Sequence, residues 1–237
     1  MKQHSVWRYM DFTKFVDLLA NNALFFCRSD KLGDPFEGSV PVKHLNTLEF
    51  EHRDGTAGFE KEAKLYAEMG SEFRKYVFVN CWHANEHESA ALWSLYVKSG
   101  EGIAILSTQD RIHLSVHDDD RPVWFVPVCY IDYRKDHPPV PTRMAPFRYK
   151  RKSFEHEREV RLIWYAPTQA HNGKKKPPPA EDGVRIKVDL NTLIRAVYVS
   201  PASPGWFQRL TQSVCRSYGL RKQVRQSGLV SELPMFA

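Results

Sequence analysis

No hydrophobic run in this chain of 237 residues approaches the roughly 18 residues that a helix needs to cross a bilayer. Residues 1–8 also lack the apolar region of a secretion signal, so we expect a cytoplasmic protein that has no membrane partner. Cysteines are few, and the four of them lie far apart along the chain: Cys27, Cys81, Cys129 and Cys215. Each lies among apolar residues, which predicts reduced thiols in a core and argues against a disulfide framework.

Glycine-rich phosphate-binding loops are missing too. Gly100 and Gly102 lack the third glycine of a dinucleotide-binding fingerprint, and they precede a predicted strand where the fingerprint requires a helix. A nucleophile elbow of the form Gly-x-Ser-x-Gly does not occur either. The sequence therefore excludes the Rossmann, P-loop and nucleophile-elbow patterns.

One cluster does contain residue types that bind zinc. Cys81, His83 and His87 are spaced as C-x-H-x3-H. Three close ligands without an evident fourth are a weak basis for a zinc site. We therefore expect a cysteine at a strand end followed by two loop histidines, and we expect no metal.

The composition is that of a globular protein, because 42% of the residues are apolar and 13% are aromatic. Lysine and arginine exceed aspartate and glutamate by 34 to 28, and the resulting charge of +6 is compatible with an anionic partner without singling out nucleic acid. Predicted strands and helices are mixed without a regular βαβ rhythm. We expect one α+β domain over residues 1–237, with a central, mostly antiparallel sheet, continuous or split, between helices, and a helical insertion at 41–74.

The segment 153–164 is the most informative stretch of the chain. Read as a strand with a period of two, it places apolar side chains on one side and Glu157, Glu159 and Arg161 on the other. Two carboxylates and a guanidinium on one face of a half-buried strand are costly unless they have partners. They predict either a structural ion-paired network or a site in which carboxylates with shifted pKa values perform acid/base chemistry.

Two further groups of residues are candidates for such a site. Arg8 and Tyr9 lie on the predicted first strand, where the rigid donors of an arginine can clamp a phosphate or ribose, or else form an ion pair with a glutamate. Trp93 and Tyr96 are three residues apart on one predicted helix face. This spacing is typical of a core, and it also occurs where aromatic residues line a pocket for a planar ring.

A predicted turn lies at residues 33–38. Its Gly-Asp-Pro sequence favours a tight turn, and turn formation alone explains these residues. The alternative is that the turn places Asp34 or Glu37 beside the polar face of the segment 153–164.

Taken together in this order, the motifs resemble a bacterial family catalogued as domain of unknown function 2971. The matching segments are residues 7–9, 32–37, 79–82, 93–96, 102–105, 150–151 and 157–162. They extend over about residues 6–200, and Gly33 stands where the family usually has asparagine. The family name implies no activity.

The order of the elements also resembles the ADP-ribosyltransferase fold. In that superfamily a residue on the first strand binds NAD, and a late glutamate stabilises an oxocarbenium-like transition state. The triplet Glu157-Arg158-Glu159 is similar to the E-x-E pattern of members that modify arginine, with Glu159 in the invariant place. The resemblance implies that both glutamates are catalytic, with Glu157 activating the acceptor.

By the same resemblance, Arg8 and the adjacent Tyr9 would hold the phosphates or ribose of NAD. Trp93, Ser94 or Tyr96 would border the nicotinamide ring. NAD enters as a substrate whose ADP-ribose is transferred or whose nicotinamide bond is cleaved, as in toxin or phage-defence effectors. The implied partner is a macromolecular acceptor, protein or nucleic acid, and neither its identity nor the oligomeric state follows from the sequence.

Two other functions stay open. In a metal-dependent nuclease, the acidic residues at 33–38 and 153–164 would collect magnesium, and the basic stretch 143–152 would hold phosphate. Against this hypothesis, Arg161 stands where many such nucleases have the lysine of an E-x-K pair. In a non-catalytic binding module, the charged residues of 153–164 form only a structural ion network.

Overall fold

The computed structural model describes residues 5–39, 70–97, 100–116, 120–136, 144–169 and 173–230. Over these ranges the protein is of the mixed α+β class, as predicted, with a large, mostly antiparallel sheet flanked by helices. No helix within them is long and apolar enough to cross a membrane. The chain divides into two compact units: unit 1 comprises Met1–Phe25, Cys81–Pro122 and Arg185–Ala237, and unit 2 comprises Phe26–Asn80 and Val123–Val184.

The strands, in chain order, are β1 (Ser5–Asp11), β2 (Ala23–Arg28), β3 (Val77–Ala84), β4 (Gly102–Thr108), β5 (Trp124–Pro127), β6 (Cys129–Ile131), β7 (Tyr149–Arg151), β8 (Glu159–Tyr165), β9 (Gly183–Lys187), β10 (Ala196–Val199) and β11 (Val224–Gln226). The helices are α1 (Phe12–Asn21), α2 (Ala90–Tyr96), α3 (Gln109–Ser115), α4 (Leu190–Leu193) and α5 (Gly205–Ser217). Short 3-10 helices occupy Ser29–Lys31, Ala145–Arg148, Lys152–Glu157 and Gly228–Val230.

The predicted helical insertion at 41–74 lies outside the described residues except for 70–74, which are helical. The prediction of one domain over residues 1–237 stays a prediction beside the division into two units. Strands β2, β3 and β9 each contribute residues to both units, so the chain passes between the units within strands.

Strand β1 organises unit 1. It pairs antiparallel with β4 along its whole length, and it pairs with β3 at Val6, opposite Ala84, and at Trp7, opposite His83. Beyond β4 lie β10, which is antiparallel to β4, and β11, which is parallel to β10. All seven residues of β4 are buried, which explains its unbroken apolar run, because a strand covered on both faces has no polar side to expose.

Helix α2 covers one face of these strands. Ser89 begins it, and the Ser89 hydroxyl accepts a hydrogen bond from the Leu92 amide at 3.3 Å, which satisfies one of the free amides of the first turn. Leu92 and Trp93 are buried against residues of three strands: Trp7, Tyr9, Ala104, Leu106 and Ala196. This packing holds α2 in place and sets the position of its last residue, Tyr96.

Strand β8 is central to unit 2, where it pairs with β5 and β3. The prediction of a half-buried strand that includes Glu157 is wrong in two respects. Neighbouring elements cover both faces, so the first five residues of β8 are all buried. Glu157 instead ends the 3-10 helix Lys152–Glu157, and Arg158 then adopts a left-handed φ of 44°, which separates Glu157 from the strand that begins at Glu159.

Substitution of Gly38 tests the turn described at residues 33–38. Its φ is 68°, and an added Cβ would meet the ring of the buried Phe147. We expect Gly38→Ala to lower the free energy of unfolding by about 2 kcal/mol or more, because it adds left-handed strain and overpacking. Gly33→Ala is the matched control, since nothing lies within 4 Å of its added Cβ. Urea unfolding followed by tryptophan fluorescence measures both, and equal midpoints for the two variants would contradict the described turn.

Candidate functional site

Arg161 is the centre of a buried charged network in unit 2. Its Nη1 and Nη2 donate to the two carboxylate oxygens of Glu37 at 2.7 and 2.8 Å. Its Nε and Nη2 donate to the two oxygens of Glu159 at 2.8 and 3.2 Å, and Nη1 also donates to the Phe147 carbonyl at 2.8 Å. These bonds use all five N–H donors of the guanidinium, which is 1% exposed.

Lys150, on β7, joins the same network from its other side. Its Nζ lies 2.8 Å from Glu157 Oε2 and 2.8 Å from Glu159 Oε2. Burial by itself lowers the pKa of Lys150, but the charges and hydrogen bonds of the two carboxylates outweigh burial and raise this pKa above its ordinary value. Lys150 is therefore a permanent cation at neutral pH and not a base.

The network contains three carboxylates, Glu37, Glu157 and Glu159, and two cations, Lys150 and Arg161. Its formal charge is therefore 2 minus 3, or −1. All five residues are at most 8% exposed. Such burial is tolerated only when the charges pair and their remaining donors and acceptors are satisfied. Of the two interpretations of the polar face, these contacts favour a structural ion-paired network.

Two turns of the backbone bring these side chains together. The left-handed Arg158 follows the 3-10 helix Lys152–Glu157, and Lys150 bonds both Glu157 and Glu159, which follow it by seven and nine residues. The Tyr130 hydroxyl accepts the Glu159 amide at 2.6 Å and keeps the start of β8 in place. Burial, foremost, raises the pKa of Tyr130 to about 12, so it remains a neutral phenol.

The second turn is the one predicted at residues 33–38. The Asp34 carboxylate accepts the Phe36 amide at 3.0 Å, and the turn carries Glu37 to Arg161. Arg151 binds Asp34 at 3.1 Å, and its guanidinium lies 4.7 Å from the centre of the Phe36 ring. The segment is therefore a turn, and the turn also places Glu37 beside the polar face of the segment 153–164.

Arg8, on β1 in unit 1, has a guanidinium whose surroundings are the opposite of those of Arg161. It is half-buried as a residue, but its Nη1 is shut off from solvent, and no described residue forms a hydrogen bond with this nitrogen or a salt bridge with the side chain. Burial lowers the pKa of Arg8 to about 10, and electrostatic interactions with Cys81 and Tyr96 offset part of this lowering. No carboxylate among the described residues neutralises this guanidinium, so it is suited to receive an anion.

Aromatic rings lie around the same part of unit 1. Tyr9 meets Trp93 edge to face with 5.0 Å between ring centres, and His83 lies 6.0 Å from Tyr9 and 5.1 Å from Tyr96. Tyr9 and Trp93 are 4% exposed, whereas Tyr96 is 37% exposed. Tyr96 is therefore the predicted ring-binding residue that presents a face to solvent.

The other predicted binding residues have internal partners. The Tyr9 hydroxyl accepts the Ser89 amide at 3.0 Å, and burial, foremost, raises the pKa of Tyr9 to about 12. The Trp93 indole donates to Glu88 at 3.1 Å, and the Ser94 hydroxyl donates to the Ala90 carbonyl at 3.2 Å within α2. These hydrogen bonds tie the three side chains to helix α2 and to the packed core beside it.

The structure thus divides the predicted site residues between the two units. Glu157 and Glu159 meet in unit 2, and the predicted NAD-binding residues, among them Arg8 and Tyr96, lie in unit 1. Sequence analysis placed Lys150 in a matching segment and in a basic stretch, but it did not predict the contact of Lys150 with Glu157 and Glu159. A spacing of seven residues does not indicate such a contact, because it separates two side chains by about 10 Å along a helix and puts them on opposite faces of a strand.

No family model, no curated protein and no solved structure matches the chain. The resemblances described above therefore stay predictions. Within the described ranges, no three His, Cys, Asp or Glu side chains are grouped so that they could hold a metal ion.

Removing the guanidinium tests the structural role of the network. Arg161→Met leaves Glu37 and Glu159 buried without their main partner, and we expect a loss of about 3–5 kcal/mol in the free energy of unfolding. Arg185→Met is the control, because its pair with Asp17 is 48% and 40% exposed and contributes less than about 1 kcal/mol. Equal losses for the two variants in chemical denaturation would contradict the described network.

Lys150 provides a test in alkaline solution. Because its folded pKa lies above the ordinary 10.5, its contribution to stability is complete below that pH and is lost as the pH rises through the folded value. We expect the difference in free energy of unfolding between the wild type and Lys150→Met to stay constant from neutral pH to about 10 and to shrink above it. A difference that shrinks already between pH 7 and 9 would show that Lys150 is not the stabilised cation described here.

Proposed function

We propose that this chain is an ADP-ribosyltransferase-like protein that binds NAD through unit 1. The observation that carries the proposal is the buried guanidinium of Arg8, which has no counter-charge among the described residues. A diphosphate supplies two adjacent anionic groups that match the fork of an arginine. The exposed ring of Tyr96 would stack on a planar ring of the same ligand, and stacking contributes about 0.5–1.5 kcal/mol beyond burial.

In this proposal the chemistry belongs to Glu159. Breaking the bond between nicotinamide and ribose builds positive charge on the ribose, and a fixed negative charge lowers that barrier. Arg161 and Lys150 hold the Glu159 carboxylate in place, and the network around it keeps an excess of one negative charge. Glu157 would activate the acceptor, which is a protein or a nucleic acid.

A second candidate is a binding module that holds NAD without chemistry. It is favoured by one observation: both oxygens of Glu159 already accept hydrogen bonds from Arg161 and Lys150. A carboxylate with these bonds is less available to a substrate.

The nuclease hypothesis has less support. Its four candidate ligands each have a basic partner, so magnesium would have to displace a lysine or an arginine from every one of them. The pairs are Asp34 with Arg151, Glu37 and Glu159 with Arg161, and Glu157 with Lys150.

Titration of NAD into the protein, followed by calorimetry, tests the binding. We expect wild-type protein to bind and Arg8→Met to bind about 10–100-fold more weakly, because a hydrogen bond to a charged group contributes about 1.5–3 kcal/mol. Arg216→Met, at an exposed position of α5, is the matched control and keeps the wild-type affinity. No binding by the wild type, or equal binding by all three proteins, would overturn the proposal.

Chromatography of the same mixtures for released nicotinamide separates the two candidates. Release by the wild type that Glu159→Gln abolishes while NAD binding persists identifies an enzyme. Binding without release identifies a binding module. Metal-dependent cleavage of RNA or DNA, without NAD binding, would replace both with the nuclease.

A further inference from the structure

The net positive charge of the chain is concentrated in residues 190–231. This segment contains six basic residues and no aspartate or glutamate. In the rest of the chain, 34 minus 6, or 28, basic residues balance the 28 acidic ones, so the segment accounts for the whole charge of +6. The six residues are Arg195, Arg209, Arg216, Arg221, Lys222 and Arg225. A region of one sign and of this size attracts polyanions.

These six basic side chains have no carboxylate partners in the structure. Lys222 is half-buried and the other five are exposed. Within the ranges that the structure describes, none of the six forms a salt bridge. By contrast, the exposed Arg185 of the same unit binds Asp17 at 2.8 Å. Cations that lie together on a surface repel one another, and a bound polyanion removes this repulsion.

Helix α5 and the loop that follows it form one continuous surface. The Gln212 Nε2 donates to the Lys222 carbonyl at 3.1 Å, and the Gln212 Oε1 accepts the Val224 amide at 2.9 Å. Arg209 lies three residues before Gln212 and Arg216 lies four residues after it, so all three share one side of the helix. The backbone at Lys222 therefore runs beside the side of α5 that carries both arginines.

Arg111 on α3 extends this surface. Its Nη2 donates to the Asn191 carbonyl at 2.9 Å, and the Asn191 side chain accepts the Arg221 amide at 2.9 Å. The Arg111 Nε is buried, and no described residue accepts its hydrogen. Partial burial, foremost, and the charge of Arg111 lower the pKa of Lys222, so these two cations repel each other. The C-terminal basic surface comprises Arg111, Arg209, Arg216, Arg221 and Lys222.

Asp189 opposes part of this positive charge. Its carboxylate acts on Lys222 against the two larger effects. Asp189 also begins α4, where its Oδ1 accepts the Thr192 amide at 2.9 Å, so its charge is shared with the N-terminus of that helix. The five cations of the C-terminal basic surface outweigh this carboxylate.

Exposed aromatic rings lie at both ends of α5. Trp206 is the second residue of the helix and is 50% exposed, and Tyr218 directly follows the helix and is 44% exposed. At about 1.5 Å per residue, roughly 18 Å of helix axis separates the two residues. Arg209 and Arg216 lie between them in the helix. Single-stranded nucleic acids match this arrangement, because their phosphates bind cations and each unpaired base offers a face for stacking.

We propose that the C-terminal basic surface binds single-stranded nucleic acid. Its cations contact the phosphates, and Trp206 and Tyr218 stack on bases. Four of the five cations are arginines, whose planar fork of donors matches a phosphate group. The unpartnered Nε of Arg111 is one such donor. This inference does not rest on NAD binding at Arg8.

Two other polyanionic partners fit the surface less well. A helix that lies in an anionic membrane needs a continuous apolar face, whereas Arg209, Ser213 and Arg216 interrupt the exposed face of α5. An acidic protein segment supplies negative charge, but its carboxylates offer no planar face to the exposed rings of Trp206 and Tyr218. Unpaired nucleic acid supplies both charge and planar rings.

Fluorescence anisotropy with labelled oligouridylate and oligodeoxythymidylate, each of about 15 nucleotides, tests the proposal. We expect the wild type to bind, and the logarithm of the association constant to fall linearly with the logarithm of the salt concentration. A slope of about −2 to −3.5 corresponds to about three to five phosphate contacts. A preference between the two probes identifies RNA or DNA as the bound strand.

The double variant Arg209→Met, Arg216→Met tests the phosphate contacts. We expect it to bind about 10-fold or more weakly than the wild type, with a salt slope that is shallower by about 1.4. The control is Lys75→Met, Arg185→Met, which removes the same charge from exposed side chains that are paired with carboxylates. It should keep the wild-type affinity, and an equal loss in both double variants would overturn the proposed surface.

The variant Trp206→Ala tests the stacking. We expect affinity to fall about 5–100-fold with an unchanged salt slope, because stacking on an aromatic side chain contributes about 1–3 kcal/mol per base. A duplex of the same length should bind more weakly than the single strand. Unchanged affinity in Trp206→Ala, or duplex bound as tightly as the single strand, would overturn the proposal.

Two further probes test the other partners. They are polyglutamate and vesicles of phosphatidylcholine with phosphatidylserine. Polyglutamate bound as tightly as the oligonucleotides would overturn the proposal. Vesicle binding that is lost in Trp206→Ala, without binding of either oligonucleotide, would replace nucleic acid with a membrane.

Single variants separate this inference from the proposed function. Arg216→Met should weaken oligonucleotide binding and keep the wild-type affinity for NAD, and Arg8→Met should do the reverse. Oligonucleotide binding that is lost in Arg8→Met and kept in Arg216→Met would contradict the C-terminal basic surface. Oligonucleotide binding by a wild type that does not bind NAD supports this surface and contradicts the proposed function.

Discussion

The buried guanidinium of Arg161 holds together segments that are far apart in the chain. Its five donors reach Glu37 in the early turn, Glu159 on its own strand and the carbonyl of Phe147 in a 3-10 helix. A charge at 1% exposure is tolerable only when every donor has an acceptor. The turn, the 3-10 helix and the start of β8 must therefore all adopt positions that satisfy it. Lys150 completes the arrangement by supplying the charge that Glu157 and the second oxygen of Glu159 require.

Arg8 is also an arginine with a buried guanidinium, but its electrostatic state is the opposite of that of Arg161. Arg161 is saturated with acceptors and stabilises the fold, whereas Arg8 has a buried nitrogen that no described residue satisfies. A protein that keeps such a group bears a cost in stability, and costs of this kind are common where a ligand or a reactive group supplies the missing charge. The proposed function therefore depends on Arg8 and Tyr96 of unit 1, whereas the stability of the fold depends on the network of unit 2.

Much of the fold was predictable, and the site was predictable only in part. The period of two in the segment 153–164 predicted a strand, of which the structure shows β8, and it put Glu159 and Arg161 on one side, because side chains two apart in a strand share a face. The contact of Lys150 with the glutamates escaped prediction because it depends on the 3-10 helix Lys152–Glu157 and on the left-handed Arg158, which a strand pattern does not indicate. Sequence analysis named Glu37 as a possible neighbour of this face, but it could not decide between that alternative and a simple turn, because Glu37 lies 124 residues before Arg161 and no local pattern carries information over that distance.

The sequence by itself determined which residue types face one another within a strand or helix, since these faces follow from backbone periodicity. It also determined the α+β class and the grouping of Trp93 with Tyr96 on α2. Only the tertiary structure decided which charges are neutralised: Glu159 is bonded on both oxygens, and Arg8 keeps a nitrogen to which no residue in the described part of the chain bonds. The physical reason is that neutralisation depends on burial and on contacts between distant segments, and both arise only when the chain is folded.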